Sequence, residues 1–298
     1  MTYGWQHSTR IVSVAWDKGS ARAGREAGQQ PVEISTRRPG VTRPGYSRIS
    51  ARLFFCRTSV YHPGVVYPHD PGERREDREQ LVSYSVRLLD DGLAVGSAGN
   101  MSVRAADAVL ITPSGIAYRE MAPADICAVG LDGTVLSAPA EPSSETPMHL
   151  AVYAATQAGA VVHTHSPEVI ALSAVSHELP AIHYAITGLG GPVRVAAYTR
   201  FGSDGLARAA VDALDGRRAA ILQNHGAICY GATLAEAYDR ALLLEWLAHV
   251  HRLACARGTP RILTEEELAE VTAEVRLRRY GEARGSRAGA GDSRGNGG

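Results

Sequence analysis

The chain has 298 residues, 45% of them hydrophobic, which is enough to bury a substantial core in one large domain or two small ones. Its 31 basic and 31 acidic side chains give a formal net charge of zero, so overall charge gives no support to a nucleic-acid partner or an anionic membrane. No run of about 18 apolar residues is present, and we expect neither a transmembrane helix nor a secretory signal.

Two details of the composition bear on chemistry. The four cysteines are scattered without a C-x-x-C pair, which favours a reduced, cytoplasmic protein over a disulfide framework or a cysteine zinc site. Lys18 is the only lysine and falls in a segment that we expect to be disordered, so catalysis through a lysine imine is close to excluded. Activation of a carbonyl group must then come from a metal ion or from hydrogen-bond donors.

Three regions differ in composition. Residues 1–72 are rich in Arg, Gly, Pro and Ser without a helical or strand period, and we interpret them as a disordered extension. A basic arm or an organellar presequence is the alternative, because basic side chains outnumber acidic ones there. Residues 282–298 form a low-complexity tail that we also expect to be disordered. Residues 73–281 are predicted to form one continuous globular domain.

Within this domain, helices alternate with short strands. An amphipathic helix over 74–91 comes first, and Asp132-Gly133 is typical of a hairpin turn between early strands. The remaining pattern predicts strands over 101–105, 108–112, 126–131, 160–165, 192–198 and 219–224, and helices over 143–157, 166–176, 204–216, 233–258 and 264–280. Trp246 on the long helix is predicted to be a core residue. The early hairpins argue against a purely parallel, doubly wound sheet and leave a mixed α/β fold.

Three histidines and one glutamate form a candidate metal set. His163 and His165 are two residues apart in AVVHTH, so they point to the same face of a strand. His225 follows the apolar strand AAIL, and Gly226 permits a sharp turn after it. Glu145 lies at the first turn of the predicted helix over 143–157. An H-x-H pair alone is as often structural as metal-binding, but three imidazoles and a carboxylate are ligands that suit tetrahedral zinc.

Three short segments have the composition of phosphate-binding loops. They are GSAGNMS, TPSG and PSS, and the last precedes a helix, where free N–H groups and the helix dipole favour an anion. Each segment alone is more typical of an ordinary turn or N-cap. Their occurrence in one domain with the metal set makes them a candidate phosphate pocket, formed by Gly99, Asn100, Ser114, Gly115, Ser143 and Ser144.

The order and spacing of GNMSVR, ITPSG, PSSE, HTH, PAIHY, YTRFG and NHG resemble the class II aldolase/epimerase family. The family contains L-fuculose-phosphate aldolase, L-rhamnulose-phosphate aldolase and L-ribulose-phosphate 4-epimerase, and the segments PAIHY, YTRFG and RRYG resemble the first of these branches. The resemblance extends over about 73–281. It implies a three-layer α/β/α fold with a central, mostly antiparallel sheet, assembled as a C4 homotetramer with sites at its interfaces.

The resemblance also implies roles for individual residues. Zinc would be held by Glu145, His163, His165 and His225, and the six pocket residues would bind the substrate phosphate. Tyr184 would reach the site of a neighbouring subunit, while Phe201 and Tyr280 would shape the substrate pocket. The implied reaction is zinc-dependent cleavage of a phosphorylated ketose to dihydroxyacetone phosphate and a short aldehyde such as lactaldehyde. We hypothesise that Glu145 carries the proton at the enediolate carbon and that Tyr184 donates to the aldehyde oxygen.

Three alternatives remain open. A 4-epimerase, dehydratase or decarboxylase of the same family would use the same metal and phosphate sites. A non-catalytic scaffold like the head domain of adducin would be expected to have lost the metal ligands. A zinc hydrolase is disfavoured, because the sequence has no H-E-x-x-H motif. His149, one turn after Glu145, could lie behind the metal ligands, but we predict a helix-packing role for it.

Overall fold

A computed structural model describes residues 74–278, which lie within one compact unit. The predicted extension 1–72 and tail 282–298 fall outside the described residues, as do Lys18 and Tyr280. None of the described helices is both long enough and apolar enough to cross a membrane.

Six α-helices and nine strands make up the described part of the chain. The helices are α1 Arg75–Asp90, α2 Thr146–Ala155, α3 Pro167–Ser173, α4 Asp204–Leu214, α5 Leu234–Cys255 and α6 Glu265–Leu277. The strands are β1 Asn100–Ala105, β2 Ala108–Ile111, β3 Cys127–Gly130, β4 Val135–Ser137, β5 Ala160–Thr164, β6 Glu178–Leu179, β7 Val193–Ala196, β8 Ala219–Leu222 and β9 Gly226–Gly231. Two 3₁₀ helices, Pro123–Asp125 and Tyr184–Leu189, lie between them.

The strands form one sheet in the order β4-β3-β2-β1-β5-β9-β8-β7-β6. Every neighbouring pair is antiparallel except β7 and β8, which are parallel. The mostly antiparallel sheet inferred from the resemblance is therefore confirmed. Strand β9, whose segment has a glycine at each end, is not among the strands that the sequence pattern predicts. Pairing with β5 on one side and β8 on the other makes this segment a central strand despite its weak local preference.

Helices cover both faces of the sheet. Alternate strand residues enter two separate hydrophobic clusters: Val162 packs with α1, α3 and α5, whereas Val161 packs with α2 and α4. This arrangement confirms the three-layer fold. The prediction of Trp246 as a core residue is wrong, because its side chain on α5 is 46% exposed.

The start of α2 also differs from the expectation. The helix begins at Thr146 rather than at residue 143, with Pro147 in its first turn, where a missing N–H costs no helix bond. Glu145 occupies the N-cap position, and Ser143 and Ser144 lie in the turn before it. The carboxylate of Glu145 is therefore held at the helix end that faces the strand termini.

Candidate active site

The four predicted metal ligands converge near one end of the central strands β5, β8 and β9. His163 is on β5, His165 follows the end of that strand, His225 lies in the turn between β8 and β9, and Glu145 caps α2. One ligand atom from each residue lies within 4.8 Å of the others. As the two-residue spacing predicts, the side chains of His163 and His165 point to the same side of the chain, and their Nε2 atoms are 3.0 Å apart.

The pairwise distances suit a tetrahedral ion. Two ligand atoms that are each about 2.1 Å from a tetrahedral zinc lie roughly 3.3 Å apart. Nε2 of His163 is 2.9 Å from Oε2 of Glu145, and Nε2 of His225 is 3.3 Å from Oε1 of the same carboxylate. These short distances suit one divalent metal ion held by three imidazole nitrogens and a carboxylate.

The turn that carries His225 depends on two unusual backbone positions. Asn224 adopts a left-handed conformation with φ 53°, which asparagine tolerates better than most residues. A Cβ atom on Gly226 would lie 2.0 Å from the carbonyl oxygen of Thr164, so only glycine allows β9 to begin this close to the end of β5. This approach brings His225 next to the histidines of β5.

A main-chain carbonyl orients the ring of His163. Its Nδ1 lies 2.8 Å from the carbonyl oxygen of Ala227, which can only accept, so Nδ1 carries a hydrogen and Nε2 faces the other ligands. Nε2 is close to both Oε2 of Glu145 and Nε2 of His165. Because lone pairs at these distances would repel one another, a proton or a metal ion must lie among them.

The charge state of the cluster also suits a metal. Burial by itself raises the pKa of Glu145, but the charge and hydrogen bond of His163, together with other neighbours, outweigh burial and hold the pKa well below its usual range. Burial, with nearby imidazole charge, lowers the pKa of His165 to about 3 and lowers the pKa of His225. Near neutral pH Glu145 is thus a carboxylate, and His165 and His225 are neutral imidazoles. Oε1 of Glu145 is buried without a hydrogen bond from the residues described, and a cation would satisfy it.

All six predicted phosphate residues line a single cavity of about 320 Å³ beside the metal set. Phe201, Glu145, His165 and His225 line the same cavity. The remaining described lining residues, which were not among the predicted site residues, are Ser97, Ala98, Pro113, Tyr198, Thr199 and Asn224. Within the described part of the chain, no lysine or arginine lines it, so an anion here would be held by neutral donors and the helix dipole.

The loops of this cavity are hydrogen-bonded to one another. Ser114 Oγ accepts from the backbone N–H of Ser144 at 3.2 Å, and Ser143 Oγ accepts from the N–H of Glu145 at 3.2 Å. The expectation that these helix-terminal N–H groups are free is therefore wrong for Ser144 and Glu145. The serine hydroxyls, which can rotate, and the amide of Asn100 are the groups left to meet a phosphate.

The glycine of the first loop is needed for a close backbone approach. Gly99 has φ 81°, and a Cβ atom there would lie 2.7 Å from the carbonyl oxygen of His163. The hydroxyl of Tyr118, a residue outside the predicted site, donates a hydrogen bond to the carbonyl oxygen of Gly99 at 2.6 Å. The loop is thus held directly against the strand that carries the metal ligands.

His149 does more than pack the helix. It is fully buried, and both ring nitrogens are hydrogen-bonded: Nε2 to Asn100 Oδ1 at 2.6 Å and Nδ1 to Ser102 Oγ at 2.7 Å. Asn100 in turn donates to Oε2 of Glu145 at 3.0 Å. The predicted helix-packing role is therefore incomplete. The four-residue spacing from Glu145 was the signal, because residues four apart share one face of a helix.

Tyr184 lies apart from this cleft within one chain. It is 56% exposed, stacks on His183 with ring centroids 4.5 Å apart, and is not among the described residues that line the cavity. The ring of His183 also contacts Trp246 edge-on at 5.0 Å between centroids. These aromatic rings form an exposed surface, which we call the aromatic edge (His183, Tyr184 and Trp246).

The sequence profile of the family described as "Class II Aldolase and Adducin N-terminal domain" matches residues 79–252, more than half of the chain. The chain belongs to the class II aldolase family. It is 37% identical over 197 residues to 5-deoxy-D-ribulose 1-phosphate aldolase of Bacillus thuringiensis serovar kurstaki, covering 65% of this chain and 92% of that protein. It is 38% identical over 203 residues to 5-methylthioribulose-1-phosphate/5-deoxyribulose-1-phosphate aldolase of Rhodospirillum rubrum, covering 67% and 91%.

A solved structure supports the same assignment for the fold. L-fuculose 1-phosphate aldolase superposes with a TM-score of 0.66 and 33% identity over 67% of this chain and 96% of that one. The predicted family and enzyme class, a class II aldolase that acts as a carbon–carbon lyase, are confirmed. The site described above is a His/Glu group that could hold the metal ion on which class II aldolases depend.

Proposed function

We propose that this class II aldolase uses zinc to cleave a ketose that carries its phosphate on C1, releasing dihydroxyacetone phosphate and a short aldehyde. One observation carries the proposal: three imidazoles and a carboxylate, with ligand atoms within 4.8 Å of one another, border the cavity that all six candidate phosphate residues line. A scaffold on this fold would have no use for such a combination, and a zinc protease would have no use for the phosphate loops.

The residues divide into two groups by role. Glu145, His163, His165 and His225 would hold zinc, which suits a tetrahedral set of three nitrogens and one oxygen better than the hard, oxygen-preferring ions do. When bound, the ion supplies Lewis-acid stabilisation of the negative charge that develops as the carbon–carbon bond breaks. Six residues would hold the phosphate and so fix the position of the ketose relative to the ion: Gly99, Asn100, Ser114, Gly115, Ser143 and Ser144.

Glu145 is placed to move a proton. Cleavage leaves the bonding electron pair on the phosphate-bearing fragment, and the proton lost from the hydroxyl of the departing carbon must be balanced by one gained at carbon. Glu145 borders the cavity, is hydrogen-bonded through Oε2 to Asn100, and has Oε1 free of hydrogen bonds from the described residues. A carboxylate with one oxygen held and one available is suited to carry that proton.

The aldehyde side of the cleft would be completed by a second copy of the chain. Tyr184 is exposed and outside the cavity of its own chain, so we propose that it reaches the site of a neighbour and hydrogen-bonds the oxygen that becomes the aldehyde. The aromatic edge would then be an interface of the C4 homotetramer expected from the family. Tyr280, which lies outside the described residues, remains a candidate for the same side of the pocket.

The substrate class follows from the relatives and from the mouth of the cavity. The relatives and the solved structure are named for 5-deoxyribulose 1-phosphate, 5-methylthioribulose 1-phosphate and L-fuculose 1-phosphate. Tyr198 and Phe201 line the cavity and expose most of their side chains, so they offer an apolar surface to the end of the sugar far from the phosphate. We propose an L-fuculose 1-phosphate-like deoxyketose, in a cytoplasmic enzyme as the scattered cysteines suggest.

A cleavage assay over a panel of phosphorylated ketoses tests the proposal. The panel contains L-fuculose 1-phosphate, 5-deoxyribulose 1-phosphate and L-ribulose 5-phosphate, each with and without EDTA, and the bound metal is quantified by mass spectrometry. We expect EDTA-sensitive release of dihydroxyacetone phosphate from at least one 1-phosphate and about one zinc per chain. Epimerisation of ribulose phosphate without release of a triose phosphate would instead identify a 4-epimerase. Absence of stoichiometric metal would favour a scaffold.

A further inference from the structure

Behind the metal ligands, four polar side chains form a buried hydrogen-bonded row that ends on Glu145. Asn100 and Ser102 come from one face of β1, and His149 and Tyr153 come from α2, four and eight residues after Glu145. Their exposed fractions are at most 6%. These polar contacts from α2 to β1 lie beside the hydrophobic cluster to which α2 and α4 contribute. Polar groups are costly to bury unless each one is paired. A buried row in which every group is paired holds each of its members in one orientation.

The chemistry of the groups permits one direction of donation. A carboxylate only accepts, so Nδ2 of Asn100 donates to Glu145 and Oδ1 of Asn100 must accept, from Nε2 of His149 at 2.6 Å. Burial lowers the pKa of His149 to about 3, so the ring is neutral and Nδ1 accepts from the hydroxyl of Ser102 at 2.7 Å. Tyr153 donates to Ser102 at 2.8 Å. Every donor in the row thus points toward Glu145.

We propose that His149 is a positioning residue, whose Nε2–H holds the amide of Asn100 in the one orientation that donates to Glu145. If the ring carried its hydrogen on Nδ1 instead, Nε2 would accept, the amide would turn over, and its carbonyl oxygen would face the carboxylate. The hydroxyl of Ser102 prevents this by donating to Nδ1. The row therefore fixes the direction in which Glu145 presents its oxygens to the metal and to the substrate.

Two substitutions at position 149 separate positioning from packing. His149→Leu fills the space but cannot donate, whereas the amide nitrogen of Gln in His149→Gln reaches the place of Nε2 and can donate to Asn100. Partners that orient metal ligands typically contribute 10–100-fold in metal affinity or activity. We expect His149→Leu to lower kcat by about 10–100-fold at full metal loading with KM changed less than about 3-fold. His149→Gln should recover kcat to within about 5-fold of wild type.

A pair of serine variants provides the control. Ser102 and Ser85 are both fully buried. Substitution by Ala removes the hydroxyl of Ser102 that bonds His149 and Tyr153, whereas at Ser85 it removes a single hydroxyl hydrogen bond to Leu81 within α1. Ser102→Ala should weaken zinc binding and lower kcat by roughly 3–10-fold, while Ser85→Ala leaves both unchanged. This pair keeps the test valid if His149→Leu does not fold. Equal kcat in His149→Leu and His149→Gln, or equal effects of the two serine variants, would overturn the proposal.

Zinc affinity is measured by competition with a chelating indicator and needs no substrate, so the inference can be tested apart from the reaction. The role of Glu145 as proton carrier rests on the proposed function, whereas its orientation by Asn100 and His149 rests on hydrogen-bond geometry. If the wild type binds zinc but cleaves no ketose phosphate, the proposed function fails. If wild-type activity is present but zinc affinity and kcat are the same in His149→Leu and the wild type, the positioning role fails.

Discussion

The two sides of the cleft differ in how completely one chain builds them. On the metal side, His163 is fully buried, Glu145 is 5% exposed, and hydrogen bonds fix the side chains of both residues. On the other side, where we propose that the aldehyde forms, Phe201 and Tyr198 are mostly exposed, and Tyr184 is not among the described residues that line the cavity. The candidate metal set is therefore arranged within a single chain, whereas on the proposed function the aldehyde would also meet Tyr184 of a second copy.

Removal of a metal ligand should have the largest effect. Lewis-acid stabilisation contributes several kcal/mol, so His163→Ala is expected to lower kcat/KM by at least about 10³-fold and to abolish stoichiometric zinc. His251→Ala, which removes a histidine outside the cluster, is the matched control and should retain metal and activity. Full activity in zinc-free His163→Ala would show that the metal side is not the centre of the reaction.

Tyr184→Phe should have the next largest effect and should act on the aldehyde side alone. Loss of a positioned acid typically costs 10²–10⁴-fold, so we expect kcat to fall by about 10²-fold with zinc content and thermal stability unchanged. The exposed position of Tyr184 predicts that its removal leaves the fold intact. Loss of zinc from this variant would contradict the separation of the two sides.

Mixed assemblies test whether Tyr184 acts across an interface. If Tyr184→Phe and His163→Ala chains are unfolded together and reassembled at random into C4 rings, about a quarter of the sites combine an intact metal set with an intact neighbouring tyrosine. We therefore expect roughly a quarter of wild-type activity from two inactive parents. If the tyrosine acts within its own chain, the mixture stays inactive.

Substitution of a residue that would donate a hydrogen bond to the substrate phosphate should have a smaller effect, confined to substrate binding. Ser144→Ala removes one hydroxyl at the start of α2 without touching a metal ligand, and a charge-assisted hydrogen bond of about 1.5 kcal/mol corresponds to a KM raised roughly 10-fold. kcat should change little. An unphosphorylated ketose serves as the control, because its kcat/KM should be the same in the wild type and the variant.

The smallest effect concerns the stability of the metal-free protein at low pH. The pKa of His149 is lowered to about 3 in the folded chain and is about 6.5 when unfolded, so between these values the unfolded state binds more protons and stability falls as pH falls. At pH 5 this costs about 2 kcal/mol relative to pH 7. In urea unfolding with EDTA, His149→Gln should lose correspondingly less stability than the wild type over this range.

Local patterns in the sequence were sufficient to predict most of the elements and the four residues of the candidate metal site. The two-residue spacing of His163 and His165 places both on one strand face whatever the rest of the fold does, because side chains alternate along a strand. Helix periodicity likewise predicted five of the six α-helices to within a few residues, and α2 with its start misplaced. These features depend on neighbours in the chain, which the sequence displays directly.

Tertiary pairing alone decided how the parts of the site meet. Asn100 lies opposite His163 because β1 pairs with β5, and His225 approaches because β9 pairs with the other edge of β5. The row through His149 exists only because α2 lies across β1, which turns a four-residue helical spacing into a set of contacts with a strand about 45 residues away. Such contacts depend on strand register and layer packing, which involve residues far apart in the chain and leave no local periodicity to read.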